Sequence, residues 1–473
     1  MHSDRGTVGL IDPLEVVWRD EWGRLLALLV AQTRRLDLAE DALADAFERA
    51  AQTWPEAGMP DNPPAWLMTA AKRRVLDRLR AEAVAARKQP LLAVEEGKRQ
   101  ADLGLDTASP ASLLPPTRPA NSDLLRLVLL AAHPSLSEEA GAALTLRLVL
   151  GVSTADIARL FLVPEPTMAA RLTRARKKVV AAGVPLAIPD DEVLPQRLET
   201  VARVAYLAFT AGYAPGSGED VVRAELAGEA IRLVRLVRAT GRVAADSPAL
   251  CALLALLLLQ HARRDARVAS DGALVLLPEQ DRTAWHRDEI EEGLALLGEL
   301  TGGHSVSIHP PPHRHPTKFL PRFAPPNTSQ GPRRSSGHST GMEMESALAA
   351  EYVLQALIAA EHARAARPQD TDWPAIADYY RQLEQLTGSP VVRLNRAVAV
   401  AEAGDLSNAL RLLDGLDDRL PHSHRLPAVR AELLARAGRH TEAGAAYDVA
   451  IERCANEPER EQLLSRRRAL PIG

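Results

Sequence analysis

From Pro13 to about Arg87 the apolar residues recur every three or four positions, as in Leu25, Leu28 and Leu29 and then Leu36, Ala39, Leu43, Ala46 and Phe47. That spacing lines one face of a helix. The segment Trp54 to Pro64, WPEAGMPDNPP, interrupts it with four prolines and a glycine, so residues 13–87 are predicted as two or three helices, a rigid turn and a further helix. Residues 88–121, ending in SPASLLPPTRPANS, have little periodicity and read as an exposed linker. The helical period resumes over 122–183, with turn signals at His133-Pro134, Gly151 and Pro164 to Pro166, which predicts a second small helical domain. Residues 194–300 read as amphipathic helices, among them Leu198 to Phe209 and Val221 to Arg238. Residues 301–345, rich in Pro, Ser, Gly and His, show no apolar period and are expected to form a disordered insertion before helices return over 346–473. The predicted class is all-α.

The last part repeats itself. Ala401-x-x-Gly404-x-x-x-x-Ala409 recurs as Ala435-x-x-Gly438-x-x-x-x-Ala443, and a degenerate earlier copy places Ala375 and Tyr379 where Ala409 and Leu413, then Ala443 and Tyr447, follow. The offset is the tetratricopeptide period. Small residues let the helices of a hairpin approach closely, and the Leu or Tyr positions fill the gap to the next repeat.

Composition narrows the function classes. A chain of 473 residues exceeds what one core serves, and 4% aromatic content with abundant Ala, Leu and Arg favours helices over sheets. Two distant cysteines, Cys251 and Cys454, give no disulfide framework or thiolate zinc motif and fit a reducing cytoplasm. The longest apolar run, Ala249 to Leu259, is about half of what a membrane span needs, so no membrane partner is expected. The net charge of -4 argues against nucleic acid only if it is spread evenly, and it is not.

Ser153 to Gly183 has the grammar of a helix-turn-helix: a Ser153/Thr154 start, a Val163-Pro164-Glu165-Pro166 stop, and a second helix expected to be capped by Thr167. That second helix carries Arg171, Arg174, Arg176, Lys177 and Lys178 with no acid between Thr167 and Val180, while Met168, Leu172, Ala175 and Val179 form its apolar face. It is suited to a major groove, with basic side chains on phosphates. A second basic helix, Pro64 to Lys88, sets seven Lys or Arg against Asp77 and Glu82, whereas Leu36 to Ala50 is acidic through Asp37, Glu40, Asp41 and Asp45. One helix suits a protein partner and the other a polyanion.

The order of acidic helix, Trp-Pro turn, Ala-Trp-Leu, basic helix ending Asp77-Arg78-Leu79-Arg80, linker and helix-turn-helix resembles extracytoplasmic-function sigma factors over residues 13–183. QDRTAWHRDEIEEGLALL, TDWPAIADYY and SPVVRLNRAVAVAEAGD extend the resemblance to the subgroup with a tetratricopeptide-containing extension. The resemblance implies that the acidic helix binds the beta-prime clamp helices of core RNA polymerase through Asp37, Glu40, Asp41, Asp45 and Phe47, and that domain 4 meets the beta flap. It further implies that Asn62, Trp66, Lys72, Arg73, Arg74, Arg78 and Arg80 open and read the minus-10 element of promoter DNA. Thr167, Met168, Arg171, Arg174, Arg176 and Lys177 would read the minus-35 element. Lys72-Arg73 stands where the family often has Arg-Asn, which alters the expected base preference but not phosphate contact. The repeats would hold a protein or peptide ligand and regulate the front domains.

Other chemistry is thin. His304, His309, His313 and His315 fall in the Pro-rich insertion without a scaffold, and GYAPGSG lacks the ending of a phosphate loop. No catalytic residues, cofactor or metal are expected. Two further readings stay open: a helix-turn-helix regulator with a repeat-type sensor, and a repeat scaffold whose sigma domains are inactive.

Overall fold

The computed structural model describes residues 13–88, 120–161, 163–182, 186–213, 224–267, 269, 275–301, 340–454 and 457–471. The expected linker, 88–121, and insertion, 301–345, fall almost wholly outside these residues. The described chain is all-α, without a strand. Its helices are α1 (Pro13–Thr33), α2 (Leu36–Ala57), α3 (Pro63–Lys88), α4 (Ala120–Ala131), α5 (Glu138–Val149), α6 (Thr154–Leu160), α7 (Glu165–Ala181), α8 (Leu194–Tyr213), α9 (Ala224–Arg238) and α10 (Arg242–Ala245). They continue as α11 (Pro248–His261), α12 (Arg287–Thr301), α13 (Thr340–Arg364), α14 (Trp373–Thr387), α15 (Pro390–Glu402), α16 (Leu406–Leu412), α17 (Arg425–Arg436), α18 (His440–Arg453) and α19 (Glu457–Arg468). Two compact units divide them: residues 1–204 with 239–242, and residues 205–238 with 243–473, so the chain passes from one to the other within α8.

In the first unit, α1 packs on α2 and α3 and also on α4 and α5, so one helix serves both helical groups. The expected rigid turn from Trp54 begins later than the prolines suggest. Helix α2 runs through Trp54 and Pro55 to Ala57 and ends where Gly58, at φ 83°, donates its N–H to the Trp54 carbonyl. Proline costs a helix the hydrogen bond of its own nitrogen, and so close to the end that cost is offset by burying Trp54. Asn62 then opens α3 by accepting a hydrogen bond from the Ala65 N–H at 3.1 Å.

The second unit is built around α11. Every residue from Ala249 to Leu259 is buried, since α9, α12 and α13 all pack on this helix. The apolar run is therefore a core helix, and among the described residues no helix is long and apolar enough to cross a membrane. Buried Arg282 terminates α13: its Nη1 donates to the carbonyls of His362 and Ala365, at 2.5 and 2.6 Å, and its guanidinium lies 4.8 Å from the Trp285 ring centre. A cation thereby satisfies carbonyls that the helix end leaves open.

His362 beside it titrates abnormally. Burial first, then the charges of Arg263 and Arg282, lower its imidazole to about 4 from 6.5. A folded-state pKa below the unfolded one means that the unfolded chain binds the proton first, so stability is retained above 6.5 and lost as pH falls toward 4. Melting scans from pH 7 to 4.5 should show a loss of at most about 3 kcal/mol that His362→Leu removes. An identical pH dependence in that variant would refute the assignment.

Toward the C-terminus, α15 with α16 and α17 with α18 form two successive hairpins. Ala409 and Ala443 are fully buried at corresponding positions, as are Leu413 and Tyr447 to within 2%. Arg436 spans one hairpin to the next through an ion pair of 2.6 Å with Glu402, 34 positions earlier. The degenerate copy is packed differently: Ala375 and Tyr379 of α14 are half-buried, and Ile376 and Leu383 take the core positions.

Candidate polymerase and promoter interface

Helix α2 divides its side chains sharply. Leu36, Ala39, Leu43, Ala46, Phe47, Ala50 and Trp54 line the buried stripe. Asp37, Asp41 and Asp45 follow one another four residues apart and so share the opposite face. Asp37 pairs with Arg35 at 2.9 Å, which lowers its carboxyl pKa. Asp45 pairs with Arg74 of α3 at 2.5 Å, and Asp41 is exposed with no ion-pair partner among the described residues.

Two of the expected polymerase contacts point inward instead. Phe47 is 3% exposed and meets the Trp18 ring edge-on at 4.7 Å, within an aromatic cluster that includes Trp22. Glu40 is buried because it falls in the stripe of Leu36 and Leu43. Its carboxylate accepts hydrogen bonds from Arg147 Nε of α5 at 2.9 Å and from Arg176 Nη2 of α7 at 2.7 Å. Arg147 also donates to the Val152 carbonyl, at 3.3 Å.

Two glycines permit this approach. A Cβ on Gly23 would stand 2.1 Å from the Val149 carbonyl oxygen, and one on Gly151 would stand 2.7 Å from Trp18 Nε1. Gly151 also adopts φ 71°, a conformation that side chains rarely allow. Its carbonyl accepts from Trp18 Nε1 at 3.1 Å. Arg147, Trp18 and Trp22 carry no sequence signal that sets them apart, and Gly151 is legible in the sequence only as a turn.

On α3, Leu67, Ala71 and Val75 are buried, which turns Arg73, Arg78 and Arg80 outward and leaves Lys72 half-buried. Arg80 touches Asp77 at 3.4 Å on the surface, whereas Arg73 and Arg78 have no ion-pair partner among the described residues. Arg74 is taken by Asp45, Asn62 serves as the helix cap, and Trp66 leans edge-on against Trp54 at 5.5 Å. Trp66 therefore packs at least partly into the domain.

The helix-turn-helix is α6 and α7. Ser153 caps α6 by accepting from the Asp156 N–H at 3.0 Å, and Val163 N–H closes the turn onto Ala158. Helix α7 starts at Glu165, with Pro164 as its cap, so Thr167 lies within the first turn rather than before it. Proline suits that start, where an N–H would have no helical partner. Met168 is fully buried with Leu172, Ala175 and Val179, which removes it from the expected base contacts. Thr167, Arg174, Lys177 and Lys178 are exposed and Arg171 half-exposed on the opposite face, while Arg176 is turned toward Glu40. A basic face on a helix preceded by a capped turn offers groove and phosphate contacts.

These helices gather no metal-donor set. The group of that kind among the described residues, His424, Cys454 and Glu459, lies in the second unit.

Comparison with known proteins finds three family matches along the chain. Residues 20–84 match sigma-70 region 2 and residues 126–179 match sigma-70 region 4. Residues 197–301 match a family of unknown function (DUF6596), so the tetratricopeptide reading of the extension rests on its own spacing. An uncharacterized protein of Rhizobium meliloti (strain 1021) is 37% identical over 441 residues, covering 92% of this chain and 90% of that protein. No solved structure matches. With both sigma-70 regions in their expected order and a relative alike over nearly its full length, the chain belongs to the sigma-70 family, as a sigma factor acting with RNA polymerase in promoter recognition and carrying a helical C-terminal extension.

Proposed function

We propose that α2 docks on the beta-prime clamp helices through Asp37, Asp41 and Asp45, with region 4 meeting the beta flap. Arg73, Arg78 and Arg80 of α3 then engage the minus-10 element, while Thr167, Arg171, Arg174 and Lys177 of α7 engage the minus-35 element. The observation that carries this reading is the pair of opposed outward faces, acidic on α2 and basic on α7, within matches to regions 2 and 4.

The two promoter elements lie about 25 base pairs apart by their names, roughly 85 Å along B-form DNA. In the structure one carboxylate, Glu40, bridges α2 and α7. A closed front unit of this kind must open for both elements to be held at once, and opening frees Arg176 for DNA. The extension takes part in that equilibrium through α8. Arg203 of this helix pairs with Glu138 of α5 at 3.5 Å, Arg197 donates to the Leu129 carbonyl, and the same helix continues into the extension. The hairpins of α15 to α18 are of tetratricopeptide class and offer a groove for a peptide or helix.

Run-off transcription with core polymerase tests the reading. Arg171→Ala should cost roughly 1–3 kcal/mol of promoter binding in a sequence-dependent way, whereas Lys178→Ala should weaken all sequences alike and flatten the salt dependence. Equal losses on every template would count against base readout by Arg171. A chain ending at Val204, which keeps the α8 contacts on region 4, should differ several-fold from the full chain in yield. Matching yields would reject a regulatory extension.

A further inference from the structure

The helix that follows the second hairpin, α19, has little apolar surface. Helix α19, EPEREQLLSRRR, packs on α18, and its long-range contacts are largely polar: Arg466 to Glu432 at 3.1 Å, Arg467 to Asp448 at 3.0 Å, and Glu459 to His424 at 2.8 Å. With so little apolar surface to bury, α19 is held on the preceding hairpin chiefly by these ion pairs and hydrogen bonds.

At the base of α19 three donor types converge. His424 stands at the N-cap of α17, Cys454 at the C-cap of α18, and Glu459 in the first turn of α19. A nitrogen, the sulfur and a carboxylate oxygen from these residues all lie within 4.8 Å of one another. Cys454 carries a thiol rather than a disulfide and is 6% exposed. One repeat earlier the corresponding positions hold Pro390, Leu420 and Arg425, none of them a donor of this kind. All three substitutions occur together, in the hairpin on which α19 packs.

We propose that His424, Cys454 and Glu459 form a binding site for a divalent transition metal, zinc by the chemistry of its donors, that clasps α19 to the last hairpin. Thiolate with imidazole and carboxylate selects zinc over magnesium or calcium, which prefer oxygen alone. Ligand atoms around a tetrahedral zinc stand roughly 3.3–3.8 Å apart, so the sulfur needs to draw in by about 1 Å at most while the His424 and Glu459 donors, 2.8 Å apart, separate by roughly 0.5 Å. Binding replaces the His424–Glu459 hydrogen bond, and the Cys454 thiol gives up its proton to solvent as the sulfur–metal bond forms. The imidazole binds as its neutral form. Three protein ligands leave a fourth position for water or a side chain.

The test is cobalt titration of the full-length, chelator-treated protein. One equivalent of Co2+ should produce a thiolate-to-metal charge-transfer band, which Zn2+ then abolishes by displacement. Cys454→Ser should lose the band, His424→Ala and Glu459→Gln should weaken binding by at least about tenfold, and Cys251→Ser should leave it intact. The histidines at 304, 309, 313 and 315 carry no thiolate, so metal held there gives no such band. Zn2+ should also raise the melting temperature of the wild type and not of Cys454→Leu, which restores the residue type of Leu420. Absence of the band at one equivalent, or its survival in Cys454→Ser, overturns the site and leaves Cys454 as a buried apolar residue beside an ion pair.

Discussion

Glu40→Ala is expected to open the front unit. Removing one partner of a buried ion pair costs more than the pair contributed, about 3–5 kcal/mol, because the remaining charge has neither water nor a counter-charge. Here Arg147 and Arg176 keep 20% and 28% exposure, so hydration recovers part of that and the lower end applies. Helix α1 still packs on both helical groups in the variant, so the loss should loosen the contact of α2 with α7 rather than unfold either group. Dyes attached at exposed positions 48 and 178 should move apart in the variant, and binding of minus-35 DNA without polymerase should rise. A double-mutant cycle with Arg176→Ala should give a coupling of about 1–3 kcal/mol. An unchanged dye distance with a coupling below about 0.5 kcal/mol would show that the carboxylate does not hold the two helices together.

That contact marks the limit of what the sequence discloses. Periodicity alone places Leu36, Leu43 and Phe47 on one face, and the phase of Glu40, at the same spacing, marks it as inward-facing too. Its partners are not readable, since Arg147 and Arg176 lie 107 and 136 residues away and nothing local distinguishes them from other arginines. Taking the acidic residues as a group hides this, because charge is then weighed before phase. The resemblance in turn puts Met168 among base contacts, although it begins the stripe that continues through Leu172 and Ala175.

Helix ends are misleading in the sequence for a related reason. Four prolines between Trp54 and Pro64 signal a break, yet Pro55 lies inside α2: its ring forfeits one backbone N–H bond, and burial of Trp54 carries the helix on to Ala57. The repeat is clear where small residues are obligatory, at Ala409 and Ala443, and blurred at α14, where Ile376 enters the core beside Ala375 and shifts the register by one. Exact spacing is legible when sterics enforce it, and fades where several apolar side chains fill the same space.

Charge reversal at Asp41 is expected to have the largest effect on function while leaving the fold alone. Of the three carboxylates that share the outer face of α2, Asp37 is engaged by Arg35 and Asp45 by Arg74, so altering either also breaks a contact within the protein. Asp41 is exposed and makes no such contact among the described residues. Asp41→Arg should therefore shift the melting free energy by no more than about 0.5 kcal/mol, as for an ordinary surface substitution. Against a basic surface on core polymerase, the same change places like charges opposite each other, which costs several kcal/mol and lowers holoenzyme affinity more than tenfold. The loss should shrink as salt is raised, because repulsion between solvated charges is screened over about 8–10 Å. It should persist undiminished in the Glu40→Ala background, since the outer face of α2 is exposed whether or not the inner face is paired. Full retention of core binding by Asp41→Arg would remove the acidic face of α2 from the docking surface and leave its partner to be sought on another helix.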